Sequence, residues 1–156
     1  MSRTPSDQAP AFLCDQNLGR LTRWLRIMGF DAEYMKKWDE GTIERALTAG
    51  VTFLTRKRSM AGKKGCMVIE SDHPGEQIDR IEAVLEISTN LKPFTRCSIC
   101  NHPLKYARAE DVMDRIPEYV LATQSAFAEC PLCSRVYWKG SHTELSLIHI
   151  SEPTRQ

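Results

Sequence analysis

The stretch Ala11-Phe12-Leu13-Cys14-Asp15-Gln16-Asn17-Leu18-Gly19-Arg20-Leu21-Thr22-Arg23-Trp24-Leu25-Arg26-Ile27-Met28-Gly29 decides the fold. Ala11 to Cys14 is a short apolar run ending at Asp15, which is the pattern of a buried strand. From Asn17 onward the period changes. Leu21, Trp24, Leu25 and Met28 stand at i, i+3, i+4 and i+7, so they form one apolar helix face. Asn17 suits an N-cap, and Gly29 suits the position just past a helix C-terminus. The stretch reads as strand followed by helix.

Downstream the alternation repeats. Residues 31–35 read as a strand and 42–49 as a helix closed by Gly50. Val51-Thr52-Phe53-Leu54-Thr55 is a β-branched, apolar strand, and Arg56-Lys57-Arg58-Ser59-Met60-Ala61 a helical turn. Cys66-Met67-Val68-Ile69-Glu70 is a further strand. Residues 75–87 form a longer helix with Ile78, Ile81, Val84 and Leu85 on one face. Such alternation predicts βαβ units and a three-layer α/β fold around a parallel sheet. Right-handed crossovers then gather the strand C-termini on one edge, where open α/β sheets bind ligands. Composition changes after Pro93, which sets a first domain at 11–92 and a second at 93–144.

The 156 residues are 42% hydrophobic and 26% charged, enough for one compact core with a small appendage. Net charge is +1, so any argument for a polyanion partner rests on local charge. No run approaches the roughly 20 apolar residues of a membrane span. Residues 1–10 form a polar leader with two prolines and no apolar secretory core. These features predict a cytoplasmic protein with reduced thiols. The tail, residues 145–156, resembles translated sequencing-adapter read-through; we treat it and His149 as non-native.

Cys97-Ser98-Ile99-Cys100 and Cys130-Pro131-Leu132-Cys133 are two C-x-x-C pairs separated by a 29-residue interval. Two-residue spacing lets one tight knuckle present both sulfurs to a single ion, and a tetrahedral set of four sulfurs favours zinc, with rubredoxin-like iron as the chemical alternative. Four protein ligands leave no open position, so the ion is structural. The interval has room for a helix around Ala109 to Arg115. Cys14 and Cys66 fall inside apolar strands and read as buried core thiols.

Asp15 and Asp72 fall at strand ends on the expected ligand-binding edge, and Asp39 precedes the second helix. Two readings are open for them. Each suits a cap or solvated turn, and carboxylates converging at strand ends also suit a hard divalent cation. Among the cations, Arg20, Arg23 and Arg26 recur every three residues, while Arg56, Lys57, Arg58, Lys63 and Lys64 cluster without an acid among them. They read as a phosphate-backbone track or as a solvated face. Tyr137 and Trp138 read as cover for the small core behind the second knuckle or as base-stacking surfaces, and His142 as a contact of the acidic edge.

Together these residues resemble a known family, the PIN-like Mut-seven C-terminal RNase domain. The matching stretches are Phe12 through Asp31, Phe53-Leu54-Thr55-Arg56, Arg96-Cys97-Ser98-Ile99-Cys100-Asn101, and Cys130 through His142. The resemblance implies a PIN-like three-layer parallel sheet followed by a small four-cysteine zinc ribbon. It also implies a metal-dependent ribonuclease acting on RNA, in which Asp15, Asp39 and Asp72 hold Mg²⁺ or Mn²⁺ and Arg20, Arg23, Arg26, Arg56, Lys57 and Arg58 contact RNA. One position departs from the family pattern: Leu-Thr-Arg-Asp is here Leu54-Thr55-Arg56-Lys57. A cation in place of an acid exchanges attraction to a divalent ion for repulsion, unless Glu70 or Asp72 compensates. The alternatives to a nuclease are therefore an RNA-binding module with impaired catalysis and a protein-interaction module docking through the ribbon.

Overall fold

The computed structural model describes residues 9–124 and 126–138. Most of the polar leader, the 145–156 tail and His142 lie outside the described residues. Strands β1 (Ala11–Cys14), β2 (Asp31–Tyr34), β3 (Thr52–Thr55) and β4 (Cys66–Val68) form one parallel sheet in the order β2-β1-β3-β4. Helix α1 (Gly19–Ile27) joins β1 to β2, and α2 (Glu40–Thr48) joins β2 to β3. Helix α3 (Pro74–Leu85) follows β4. The link from β3 to β4 contains only a 3₁₀ turn at Arg58–Met60.

Side-chain alternation along the strands separates two cores. Phe12, Cys14, Leu54 and Met67 point to one face, where α1 contributes Leu21 and Leu25 and α3 contributes Ile78 and Ile81. Leu13, Phe53 and Val68 point to the other, against Ile43 of α2. The expected three layers are thus α1 and α3, sheet, and α2. All four residues of β1 are buried, as a central strand covered on both faces requires.

After α3 the chain crosses the C-terminus of α1. Lys92 donates its N–H to the Met28 carbonyl at 2.9 Å, and Phe94 donates to Ile27 at 3.1 Å. Gly29 makes this crossing feasible. Its φ is +100°, and a Cβ there would lie 2.3 Å from the Lys92 carbonyl oxygen.

Beyond the crossing a second, antiparallel sheet has the order β5 (Lys105–Ala107), β6 (Phe127–Glu129), β7 (Val136–Trp138). Its own core combines Ala107 and Phe127 with Val112 of α4 (Ala109–Val112), Ile116, and Val120 of α5 (Glu118–Thr123). The two C-x-x-C segments adopt the same turn. Asn101 donates to the Cys97 carbonyl and Ser134 to the Cys130 carbonyl, each at 2.9 Å, and these following residues take left-handed φ values of 63° and 67°.

The first knuckle docks on the open edge of β2. Asn101 accepts the Ala32 N–H at 3.1 Å and donates to Asp31 Oδ1 at 2.8 Å and Glu33 Oε2 at 3.0 Å. Arg26 reaches the same edge from α1. Spacing grouped it with Arg20 and Arg23 as an RNA contact, but it is only 8% exposed. Its guanidinium donates to the Ala32 carbonyl at 2.7 Å and to the Ser98 and Ile99 carbonyls at 3.1 Å. A three-residue step turns a helix by about 300°, so the arginines fan over about 120° of its surface. The last one meets β2 and the knuckle instead of solvent, and it ties β2 to the knuckle.

The close approach at Gly29 has a measurable consequence. Gly50 also has positive φ, +84°, but nothing lies within 4 Å of its would-be Cβ. Both glycine-to-alanine changes incur backbone strain of about 1 kcal/mol or more; only Gly29→Ala adds a clash with Lys92. In denaturant unfolding, Gly29→Ala should cost at least twice what Gly50→Ala costs. Equal losses would contradict the crossing geometry.

Candidate metal centre and strand-end site

The four Sγ atoms of Cys97, Cys100, Cys130 and Cys133 all lie within 4.8 Å of one another. Cys97 and Cys133 are 3.7 Å apart. A regular tetrahedron with metal–sulfur bonds of about 2.3 Å has edges of about 3.8 Å, so the set fits a zinc ion. Backbone amides support the sulfurs: Cys100 N–H points to Cys97 Sγ at 3.3 Å and Leu132 N–H to Cys130 Sγ at 3.4 Å. The Tyr137 hydroxyl lies 3.1 Å from Cys97 Sγ and accepts the Ser98 N–H at 3.2 Å. The Arg135 backbone N–H pulls the Cys133 thiol down to about 6, while hydrogen bonding with Cys133 pushes Cys100 up to about 12. Metal binding would favour the thiolate form of all four cysteines.

The second site is built by the ladder at the C-terminal edge of the parallel sheet. Met35 N–H donates to the Cys14 carbonyl at 2.8 Å, Asp15 to Leu54 at 3.0 Å, and Ile69 to Thr55 at 2.7 Å. These bonds carry the strand order one residue past the strands and set Asp15 beside Thr55. Between β1 and β3 the connections leave in opposite directions, to β2 on one side and β4 on the other. This is a topological switch point, where α/β sheets take ligands. Asp15 is 4% exposed there. Its Oδ2 accepts the Thr55 hydroxyl at 2.6 Å, and its Oδ1 accepts the Gln16 N–H at 2.5 Å. Thr55 in turn accepts the Lys57 N–H at 3.0 Å. No cation pairs with Asp15 among the described residues.

The other expected acids each have a different partner. Asp39 caps α2, accepting the Gly41 N–H at 3.0 Å, the Thr42 N–H at 3.4 Å and the Thr42 hydroxyl at 2.9 Å. Asp72 pairs with Arg56 at 2.8 Å, and Arg56 also donates to the Ser71 carbonyl at 2.6 Å, lacing β3 to β4. Among the described residues the four cysteines are the one group of three or more ligand-type side chains close enough to share an ion. Asp15, Asp39 and Asp72 are not brought together as such a group. Lys57, the residue that departs from the family pattern, is exposed, and its ammonium sits 4.3 Å above the Trp38 ring. Trp38 is braced edge-to-face by Phe53.

Arg20, Arg23 and Arg58 are exposed, and their side chains make no hydrogen bond or ion pair with another described residue. Cys14 is fully buried, and desolvation pushes its thiol up to about 12, as an inert core thiol requires. Trp138 packs against the ribbon core. Sequence reasoning passed over Thr55 and Tyr137 as polar supports. A threonine closing a β-branched strand carries no signal of its own, but its register opposite Asp15 could have exposed it.

Two outcomes follow from these contacts. Cys130→Ser should abolish a stoichiometry of one zinc per chain in metal analysis. It should also shift the amide resonances of β2, because Asn101 directly follows Cys100; shifts confined to β5–β7 would contradict the docked knuckle. The Thr42 hydroxyl, then its N–H, holds the Asp39 carboxyl below its ordinary value of 3.8. Stabilisation from a depressed carboxyl pKa is present above the unfolded value and is lost as pH falls through the folded one. The Tm deficit of Asp39→Ala should therefore be full near neutral pH and shrink below about pH 4. A deficit constant to about pH 2 would contradict the cap.

No curated protein and no solved structure matches the chain. The family model for the Mut7-C RNAse domain matches residues 10–147, spanning the parallel sheet, the crossing and the cysteine ribbon. The chain belongs to the Mut7-C RNAse domain family.

Proposed function

We propose that this protein hydrolyses RNA phosphodiester bonds at the C-terminal edge of its parallel sheet, with Asp15 at the centre of the chemistry. The observation that carries this reading is a carboxylate 4% exposed at the switch point with no cationic partner among the described residues. Burying a carboxylate without a cation is costly, and it is tolerated mostly where function requires it. Two hydrogen bonds leave Asp15 with further lone pairs that a ligand could use. Magnesium is commonly held by one or two carboxylates, with water and substrate phosphate completing its shell. Asp15 is the donor this chain offers to Mg²⁺ or Mn²⁺, which when bound supplies an activated water and neutralises phosphate charge.

The chain's own residues do the rest. Thr55 fixes the Asp15 carboxylate through its hydroxyl. Lys57, Arg58, Arg20 and Arg23 carry charge for the RNA backbone, and Arg56 joins them on leaving Asp72, since an exposed ion pair contributes only about 1 kcal/mol or less. Asp39 and Asp72 take part only on release from their present partners. Four zinc thiolates suit a reducing compartment such as the cytoplasm, and no described helix is long and apolar enough to cross a membrane.

A second reading, RNA binding without turnover, is favoured by Lys57 and by the lack of a three-acid group among the described residues. One assay separates the two. Zinc-loaded protein with Mn²⁺ should cleave labelled single-stranded RNA, Asp15→Asn should lower the rate at least about 100-fold, and Lys57→Asp should raise it. Salt-dependent RNA binding with no cleavage, restored by Lys57→Asp, would establish the second reading. Full activity in Asp15→Asn would overturn the first.

A further inference from the structure

A cleft of about 640 Å³ opens beside β4, lined among others by Arg58, Glu70, Ser71, Glu76, Gln77 and Arg80. It follows the unpaired edge of the last strand and lies between α3 and the turn after β3. β4 is two strand spacings from β1, so the cleft begins about 10 Å from Asp15.

Three features of its wall point to a ligand. Gln77 is 5% exposed. Its Nε2 donates to the Ser71 carbonyl at 2.7 Å, but its Oε1 accepts nothing from another described residue. A buried amide oxygen without a donor costs about 1–3 kcal/mol if it stays dry and unpaired. Arg58 and Arg80 are exposed cations whose side chains have no partner among the described residues. Glu70 adds a carboxylate with no partner among them, while Glu76 is engaged by the Ser71 hydroxyl. The cleft thus brings together acceptors, Gln77 Oε1 and the Glu70 carboxylate, and the guanidinium donors of Arg58 and Arg80.

We infer that this cleft is a nucleotide pocket that receives one residue of the RNA strand. Arg58 and Arg80 hold its phosphate, where guanidinium forks match phosphate oxygens. Gln77 Oε1 and Glu70 accept from the exocyclic amino group of its base. Adenine, cytosine and guanine carry such a group and uracil does not, so the pocket selects against uracil. The volume falls within the range of small-molecule sites. The inference rests on the RNA-directed reading above and adds to it a position and a base preference.

The test is a titration of zinc-loaded, ¹⁵N-labelled protein with AMP, CMP and UMP. AMP and CMP should bind about tenfold more tightly than UMP, and the shifts should centre on Ile69, Ser71 and the Gln77 side-chain amide. Arg80→Ala, on an exposed helix position, should weaken AMP at least about tenfold while leaving the Tm unchanged. Equal affinity for AMP and UMP would overturn the inference, as would shifts elsewhere or AMP binding unaffected by Arg80→Ala. AMP binding here without RNA cleavage would remove the nuclease reading and keep the pocket. Cleavage without discrimination among the nucleotides would do the reverse.

Discussion

Asn101 and Arg26 meet at the open edge of β2, and most of the architecture depends on that meeting. An edge strand carries unpaired N–H and C=O groups that need cover. Here the Ala32 N–H goes to Asn101 and the Ala32 carbonyl to Arg26. Asn101 can present its amide there because the knuckle turn puts it at a φ of 63°, a conformation asparagine accepts more readily than most residues. Arg26 satisfies carbonyls of both β2 and the knuckle. Removing either partner would leave buried polar groups unpaired, a loss of about 1–3 kcal/mol for each. The cysteine ribbon is thus a clamp on the parallel sheet, and a metal held by its four thiols would fix the geometry of the turn that delivers Asn101.

That clamp acts at one border of the sheet and leaves the opposite border open. At the centre, Asp15 and Thr55 face each other across the switch point. Beyond them β4 ends in the cleft with Arg58 and Arg80. The cations therefore divide by role. Arg26 is structural, Arg56 laces strand ends together, Lys57 rests on Trp38, and Arg20, Arg23, Arg58 and Arg80 stay exposed. Net charge alone, +1, hides this division.

Much of the frame was legible in the sequence. The apolar run of β1, the periodicity of α1 and the β-branched β3 carry their own signals, and C-x-x-C spacing identified the metal centre. Asp39 was open between cap and ligand, and its three bonds to the start of α2 place it as a cap. What stayed hidden depended on tertiary partners. Arg26 has the same three-residue spacing as two surface arginines; only the position of β2 and the knuckle makes it buried. Thr55 gains meaning from register with Asp15, and Gln77 from the cleft beside it. The three-residue strands β5, β6 and β7 are too short for alternation to announce them, and they pair beside the two cysteine turns.

The central claim is that RNA is engaged at the strand-end edge around Asp15 and not on the ribbon. It is tested most directly by mapping amide shifts of the zinc-loaded protein with a 2′-O-methyl single-stranded RNA, which binds without being cleaved. Gln16, Lys57 and Ile69 should move first, with β5–β7 unchanged. Shifts confined to β5–β7, with the Asp15 edge silent, would contradict it.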